Sequence, residues 1–174
     1  MKGFWFVAPI STALVATVFS VISVSTTYWI YQTLSGVSVS TGLWQSCVTI
    51  LDTTKCDSFD ADLLKPLPAV RGLVVLSIIL AVFAVASALM AYLVTKYDYV
   101  CTLVATGVTA LQGITLACGL FTYLSFLNKN DVALTNLSWS FALGWVGVGF
   151  YALAFIFFFI QIIQLRKHRS YESQ

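Results

Sequence analysis

The chain has 174 residues, of which 59% are hydrophobic and only 9% are charged, and its formal net charge at pH 7 is +2. Its mean hydropathy of +0.91 lies well above the range of soluble domains, so the composition indicates a membrane protein. The net charge is small and no basic stripe is interleaved with aromatic residues, so we expect no nucleic-acid partner.

Four long apolar runs predict an all-α membrane protein, with one tetraspan domain over residues 1–174. The runs cover approximately residues 4–24, 72–94, 100–126 and 139–165. Each is long enough for the roughly 20 residues that a helix needs to cross a hydrocarbon layer of about 30 Å. A cleaved signal peptide is the alternative for the first run, because Lys2 precedes it and small residues follow. The length of its apolar core and the lack of a clear A-x-A site favour a span.

Basic residues near the ends of the runs predict the orientation of the chain. One side carries five of them, Lys2, Lys96, Arg166, Lys167 and Arg169. The other side carries four, Lys55, Lys65, Arg71 and Lys129. The dense cluster in the tail, residues 166–174, favours cytoplasmic termini in the plasma membrane. Segments 25–71 and 127–138 are then expected outside the cell.

The composition of the spans argues against transport and catalysis. None of the four apolar runs contains Asp, Glu, Lys, Arg or His, although transport pathways usually need an ionisable group within the membrane. Gln112, together with Thr106, Thr109 and Thr115, is interpreted as a set of interhelical hydrogen-bonding groups. No catalytic triad, metal-ligand cluster or phosphate-binding glycine loop occurs, so we expect no enzyme activity and no cofactor.

The segment after the first run alternates apolar and polar residues, which predicts a small antiparallel sheet. Strands are expected over approximately residues 29–33, 37–40 and 43–51, with a turn at Leu34-Ser35-Gly36. Because so small a sheet is marginal in water, it needs a covalent link or a surface to lie on.

Cys47 and Cys56 are predicted to form a disulfide that stabilises this sheet. A disulfide persists outside the cell, and closing so short a loop contributes roughly 2 to 3 kcal/mol. Free thiols or a metal site are the alternatives, but the segment holds no His and no further Cys. Of the other two cysteines, Cys118 is expected to be a buried small hydrophobe, and Cys101 is a candidate for palmitoylation.

Two further sequence patterns are candidate modification sites. Asn136-Leu137-Ser138 is a glycosylation sequon next to the fourth run, so the chain is a candidate glycoprotein. Trp44-Gln45-Ser46-Cys47 fits the W-x-x-C form that resembles C-mannosylation sites, although packing against the membrane is the favoured role of Trp44.

Several motifs carry a family resemblance that covers nearly the whole chain. They are Trp29 after the first run, Gly42-Leu43-Trp44, the cysteines Cys47 and Cys56, and Arg71 before the second run. This pattern resembles the claudin, peripheral myelin protein and epithelial membrane protein superfamily. Ser138-Trp139-Ser140-Phe141 makes it closest to the branch of the lens fibre membrane intrinsic protein and the epithelial membrane proteins. The resemblance implies a left-handed four-helix bundle with a small extracellular antiparallel β-sheet, whose disulfide joins adjacent strands.

The favoured function is structural and adhesive, at cell–cell contacts or junctions. The expected partners are the lipid bilayer and, in the same or the opposite membrane, the protein itself or related tetraspan proteins, as a homo-oligomer. The candidate contact residues are exposed apolar positions in both outer segments: Val37, Val39, Leu51, Phe59, Val132 and Leu134.

Two alternatives stay open. In a claudin-type paracellular barrier or cation-preferring pore, Asp52, Lys55 and Asp57 would face the ions. The third possibility is an auxiliary subunit of a channel or receptor, because that branch of the superfamily carries a similar motif.

Overall fold

The computed structural model describes residues 2–51, 53–58, 66–129 and 134–172. Its four long helices are α1 (Lys2–Ser25), α2 (Leu67–Leu93), α3 (Asp98–Lys129) and α4 (Trp139–Glu172). All four contain a window long and apolar enough to cross a membrane, which confirms the four predicted spans. The helices continue past the apolar runs; α4 has 34 residues and is about 51 Å long, more than the hydrocarbon layer requires.

A four-stranded antiparallel sheet follows α1. Its strands, β1 (Ile30–Leu34), β2 (Val37–Thr41), β3 (Gln45–Ile50) and β4 (Thr53–Ser58), pair in chain order. Ser35 and Gly36 have φ angles of 47° and 85°, as expected for a two-residue hairpin turn with two left-handed positions. The predicted sheet is confirmed, but the prediction had three strands. It missed β4 because the sequence TTKCDS is polar on both faces and therefore shows no alternation.

The four helices form a bundle in which α1 packs mainly on α4 and α2 packs mainly on α3. We call the end that carries the sheet the sheet end, and the end where residues Thr95–Tyr97 connect α2 to α3 the turn end. Glycines allow the closest helix contacts: a Cβ added at Gly147 would lie 2.9 Å from the Ser20 Oγ atom of α1. Because Gly147 and Ser20 are both small, α1 and α4 can approach each other closely inside one chain.

Apolar packing is concentrated between the middle of the bundle and its sheet end. The buried residues of this larger cluster come from all four helices and from the sheet connections, and they include Trp29, Leu43, Val70, Val74, Leu116, Leu120, Tyr123, Leu127 and Phe141. A smaller cluster of Ala88, Ala105 and Phe158 lies towards the turn end. The sheet is therefore attached to the best-packed part of the bundle.

The prediction that Cys118 is buried is wrong, because its side chain is exposed on the outer face of α3. The neighbouring positions Leu116, Gly119 and Leu120 face the bundle interior. Since successive helix residues are rotated by about 100°, Cys118 points away from that interior. Cys101 is half-buried near the start of the same helix.

Candidate functional site

Trp29 attaches the sheet to the bundle. Its side chain is fully buried, and its ring makes edge contacts with Tyr123 and Phe141, at 4.8 and 5.5 Å between ring centroids. The indole Nε1 donates a hydrogen bond of 2.6 Å to the Ser23 carbonyl oxygen. Trp29, just before β1, is therefore both packed in the core and hydrogen-bonded to α1.

Trp44 makes the second indole bond to the end of α1. Its Nε1 donates to the Val24 carbonyl oxygen at 3.0 Å. The last carbonyls of a helix have no partner within that helix, and the indoles of Trp29 and Trp44 donate to two of them. The two tryptophans therefore fix the sheet at the C-terminus of α1.

Arg71 links the same region to α2. Its Nε donates to the Leu43 carbonyl oxygen at 2.8 Å, and its guanidinium carbon lies 5.2 Å from the centre of the Trp44 ring. Leu43 itself is fully buried, whereas Trp44 is 43% exposed. We call this group, Trp29, Gly42, Leu43, Trp44 and Arg71, the sheet anchor. Its members are distant in sequence, and the fold brings them together where the sheet joins the bundle.

Gly42 lies in the sheet anchor where two backbone segments touch. A Cβ added there would lie 2.5 Å from the Thr26 carbonyl oxygen and 2.7 Å from the Thr27 Cα, and neither backbone atom can move aside easily.

We therefore expect Gly42→Ala to lower the melting temperature of the purified protein by at least several degrees, because overpacking costs roughly 1 to 3 kcal/mol. Gly72→Ala is the matched control, since no atom beyond its own stretch of helix backbone lies within 4 Å of the added carbon. Equal melting temperatures for the two variants would contradict this account of the anchor.

The predicted disulfide is confirmed. Cys47 on β3 and Cys56 on β4 are bonded, and they are directly opposite each other in the strand register. The bond therefore links the edge strand β4 covalently to the inner strand β3.

The sheet has two chemically different faces, because side chains of successive strand residues point to opposite sides. The valine face carries apolar residues from three strands: Leu34, Val37, Val39, Val48 and Ile50. The opposite, hydroxyl face carries Thr33, Ser38, Ser40, Thr49 and Thr54. In the register, Lys55 and Asp57 of β4 share the valine face and form its outer edge.

The valine face remains accessible at the end of the sheet farthest from the bundle. Val37 and Val39 are half-buried, while Ile50 is 50% exposed and Leu34 is 79% exposed. Leu51, in the turn after β3, is 90% exposed. We call the two turns at this end, with Leu34 and Leu51, the sheet tip. Because a strand of five residues is about 17 Å long, the sheet tip lies about 17 Å from the sheet anchor.

The fold brings together several of the predicted site residues. Val37 and Val39 lie side by side on the valine face with Lys55 and Asp57, and Leu51 lies at the tip. Asp52, Phe59 and Val132 are outside the described residues, and of Leu134 only the backbone is described, at the start of a short 3₁₀ turn. Sequence reasoning missed Leu34, Val48 and Ile50, although the alternation that indicated β3 also placed Val48 and Ile50 on one face.

The candidate modification sites lie on different parts of the bundle. Asn136 is half-buried in the 3₁₀ turn before α4, and the following Leu137 pairs with Ile30 of β1. Glycosylation of Asn136, C-mannosylation of Trp44 and palmitoylation of Cys101 stay predictions. In the part of the chain that the structure describes, no group of three or more His, Cys, Asp or Glu side chains is arranged to hold a metal ion.

Four membrane-crossing helices joined at one end to a disulfide-linked sheet define a multi-pass tetraspan membrane protein. A sequence model of the PMP-22/EMP/MP20/Claudin family matches residues 3–158, and the chain belongs to this family. Among curated proteins, none matches the chain significantly.

Proposed function

We propose that this tetraspan protein acts in cell–cell contact through the valine face and the sheet tip, without catalytic activity. The sheet lies outside the cell in this proposal, and both termini are cytoplasmic in the plasma membrane. The observation that carries the proposal is an accessible apolar sheet face on a sheet fixed by a disulfide and two indole bonds. Apolar surface held in a rigid, protruding position is typical of interaction sites.

The size of the face supports a weak contact that acts in numbers. Four strands spaced about 4.8 Å apart and about 17 Å long offer roughly 300 Å² per copy. Two such faces bury far less than the roughly 1,000 Å² expected of a stable pairwise interface. Many copies in two facing membranes would add their contacts, because each bond formed makes the next one effectively intramolecular.

A second copy of the chain, or a related tetraspan protein, is the partner that best fits this face. The valine face is apolar at its centre, and its edge carries one basic and one acidic residue, Lys55 and Asp57. Identical copies therefore do not repel each other by net charge, and opposite charges can pair across a symmetric contact. The proposal includes homo-oligomers formed in this way.

The valine face is tested by mixing expressing and non-expressing cells that lack junctions of their own. We expect the tagged protein to concentrate only at boundaries between two expressing cells. Val37→Thr with Val39→Thr keeps the side-chain shape and strand propensity but adds two hydroxyl groups, and should reduce this enrichment by at least about half.

Thr33→Val is the control, because it makes the reverse exchange on the hydroxyl face. Normal surface amounts of both variants must be verified by labelling intact cells. Equal enrichment of the double variant and the control would exclude the valine face as the contact surface.

A paracellular barrier or cation-preferring pore is the second candidate. It is favoured by the exposure of Lys55 and Asp57 on the same face as the valines, where side chains would line a space between cells. Ion selectivity across a cell layer, compared between the natural chain and Asp57→Asn, distinguishes it from adhesion alone.

A further inference from the structure

The buried face of α3 carries a polar stripe that the proposed contact function does not use. Its members recur every three or four residues, and none is more than 8% exposed: Thr102, Thr106, Thr109, Gln112 and Thr115. The stripe starts near the turn end and reaches the middle of the bundle. It continues the helix face that carries Leu116 and Leu120 at the sheet end.

Some groups of this stripe are satisfied within α3. The hydroxyls of Thr106 and Thr109 donate to the carbonyl oxygens of Thr102 and Ala105 at 2.7 and 2.8 Å. The Thr115 hydroxyl donates to the Gln112 carbonyl oxygen at 3.0 Å. These three side chains therefore need no partner from another helix.

Other buried polar atoms have no hydrogen-bond partner among the residues that the structure describes. In the turn-end and middle parts of the bundle they are the Thr102 Oγ1, both amide atoms of Gln112, and the Gln161 Oε1 of α4; at the sheet end they are the Ser23 Oγ and the Arg71 Nη2. The Gln112 side chain is completely buried, and Gln161 is only 3% exposed. Lipid cannot supply hydrogen bonds here, so a partner must lie inside the bundle. The expected direct hydrogen bond between the Gln112 side chain and another helix is therefore not present among the described residues.

Thr102 and Gln161 lie at the same level of two neighbouring antiparallel helices. Ala105 and Phe158 belong to one buried cluster, Thr102 precedes Ala105 by three residues, and Gln161 follows Phe158 by three. Both residues are buried, yet the Thr102 hydroxyl and the Gln161 carbonyl oxygen do not bond to each other. A small molecule that both donates and accepts hydrogen bonds would satisfy both.

Gln112 lies level with a small side chain of α2 and a large side chain of α4. Gly119 of α3 meets Val74 of α2, so seven residues along each antiparallel helix bring Gln112 level with Ala81. On the α4 side, the residue after Gln112 meets the Tyr151 side chain, at 3.3 Å from an added Cβ. The helix registers therefore place Ala81 of α2 and Tyr151 of α4 at the level of the unpaired amide.

We propose that the bundle binds internal water at two sites, one at Gln112 and one between Thr102 and Gln161. Water fits because it supplies both donors and acceptors to buried amides and hydroxyls. A cation does not fit, because the spans hold no carboxylate to balance its charge. The turn-end half of the bundle is thus held partly by water-mediated bonds, whereas the sheet-end half is held mainly by apolar packing.

Radiolytic labelling tests this inference, because hydroxyl radicals made from bound water oxidise the nearest side chains even when these are buried. The purified chain supplies two matched pairs of reporters. Tyr151, next to Gly113 and therefore level with Gln112, is 1% exposed, and Tyr123, nearer the sheet end, is 3% exposed. Phe158 and Phe141 form the second pair, at 2% and 5%. We expect Tyr151 and Phe158 to be oxidised at least about threefold faster than Tyr123 and Phe141.

Substitutions assign the two sites separately. Gln112→Leu should lower oxidation of Tyr151 to the rate of Tyr123 and leave Phe158 unchanged, while Thr102→Val should lower Phe158 alone. Thr122→Val is the control, because its hydroxyl bonds back to the Cys118 carbonyl oxygen outside the stripe.

Equal rates within both pairs of the natural chain would overturn the proposal, and that comparison does not depend on whether a variant folds. Unchanged oxidation of Tyr151 in a folded Gln112→Leu variant would overturn the site at Gln112.

Discussion

Replacing Trp29 by alanine is expected to lower the free energy of unfolding by about 3 to 5 kcal/mol, the usual range for removing a fully buried aromatic side chain. The ring is 0% exposed and fills the space between Tyr123 and Phe141. Its loss leaves a cavity where the sheet joins the bundle. The measurement is thermal or denaturant unfolding of the purified protein in detergent.

Two other substitutions of tryptophan make this result specific. Trp29→Phe keeps most of the ring and removes the bond to the Ser23 carbonyl oxygen, which still accepts from the Ser140 hydroxyl at 2.9 Å. We therefore expect a smaller loss, about 1 kcal/mol. Trp139→Ala is the matched control, because that ring is 51% exposed at the start of α4. A loss at Trp139 as large as that at Trp29 would contradict the central place of Trp29 in the core.

Removing the disulfide is the second substitution with a large expected effect. Cys47→Ser and Cys56→Ser should each destabilise the sheet by roughly 2 to 3 kcal/mol and retain the protein inside the cell. The reason is that β4 is exposed along its whole length, so its strand pairing with β3 and the bond at Cys56 are what hold it. The measurement is the fraction of protein labelled at the surface of intact cells.

Cys118→Ser is the control for the two sheet cysteines. Its side chain is exposed on the outer face of α3 and takes no part in the disulfide. We expect its surface fraction to match that of the natural chain. Normal delivery of both Cys47→Ser and Cys56→Ser would show that the sheet does not need its covalent link.

Features with a strong periodic or compositional pattern were predictable from the sequence. The four spans follow from uncharged apolar runs, and the sheet follows from alternation between Val37 and Ile50. The helix ends were not predictable, because polar residues can continue a helix beyond the hydrocarbon layer, as in the last turns of α4. Strand β4 was not predictable either, since its polar residues are stabilised by pairing with β3 and by the disulfide.

The composition of the sheet anchor was predicted, but its mechanism was not. The motif residues Trp29, Trp44 and Arg71 were identified together from the family resemblance. That the two indoles satisfy the last carbonyls of α1 depends on how the chain turns back over that helix end, which no local pattern encodes. Cys118 and Gln112 show the same limit, because the side of a nearly uniformly apolar helix that faces its neighbours is decided by packing.

The central claim is that the protein by itself can join two membranes through identical sheets. The most direct measurement is aggregation of lipid vesicles of two colours that carry the purified protein, followed by fluorescence cross-correlation. We expect mixed aggregates when both colours carry the natural chain, and none when one colour is empty or carries Val37→Thr with Val39→Thr. Aggregation with empty vesicles, or no aggregation when both colours carry the natural chain with the sheet facing outward, would contradict contact between identical copies.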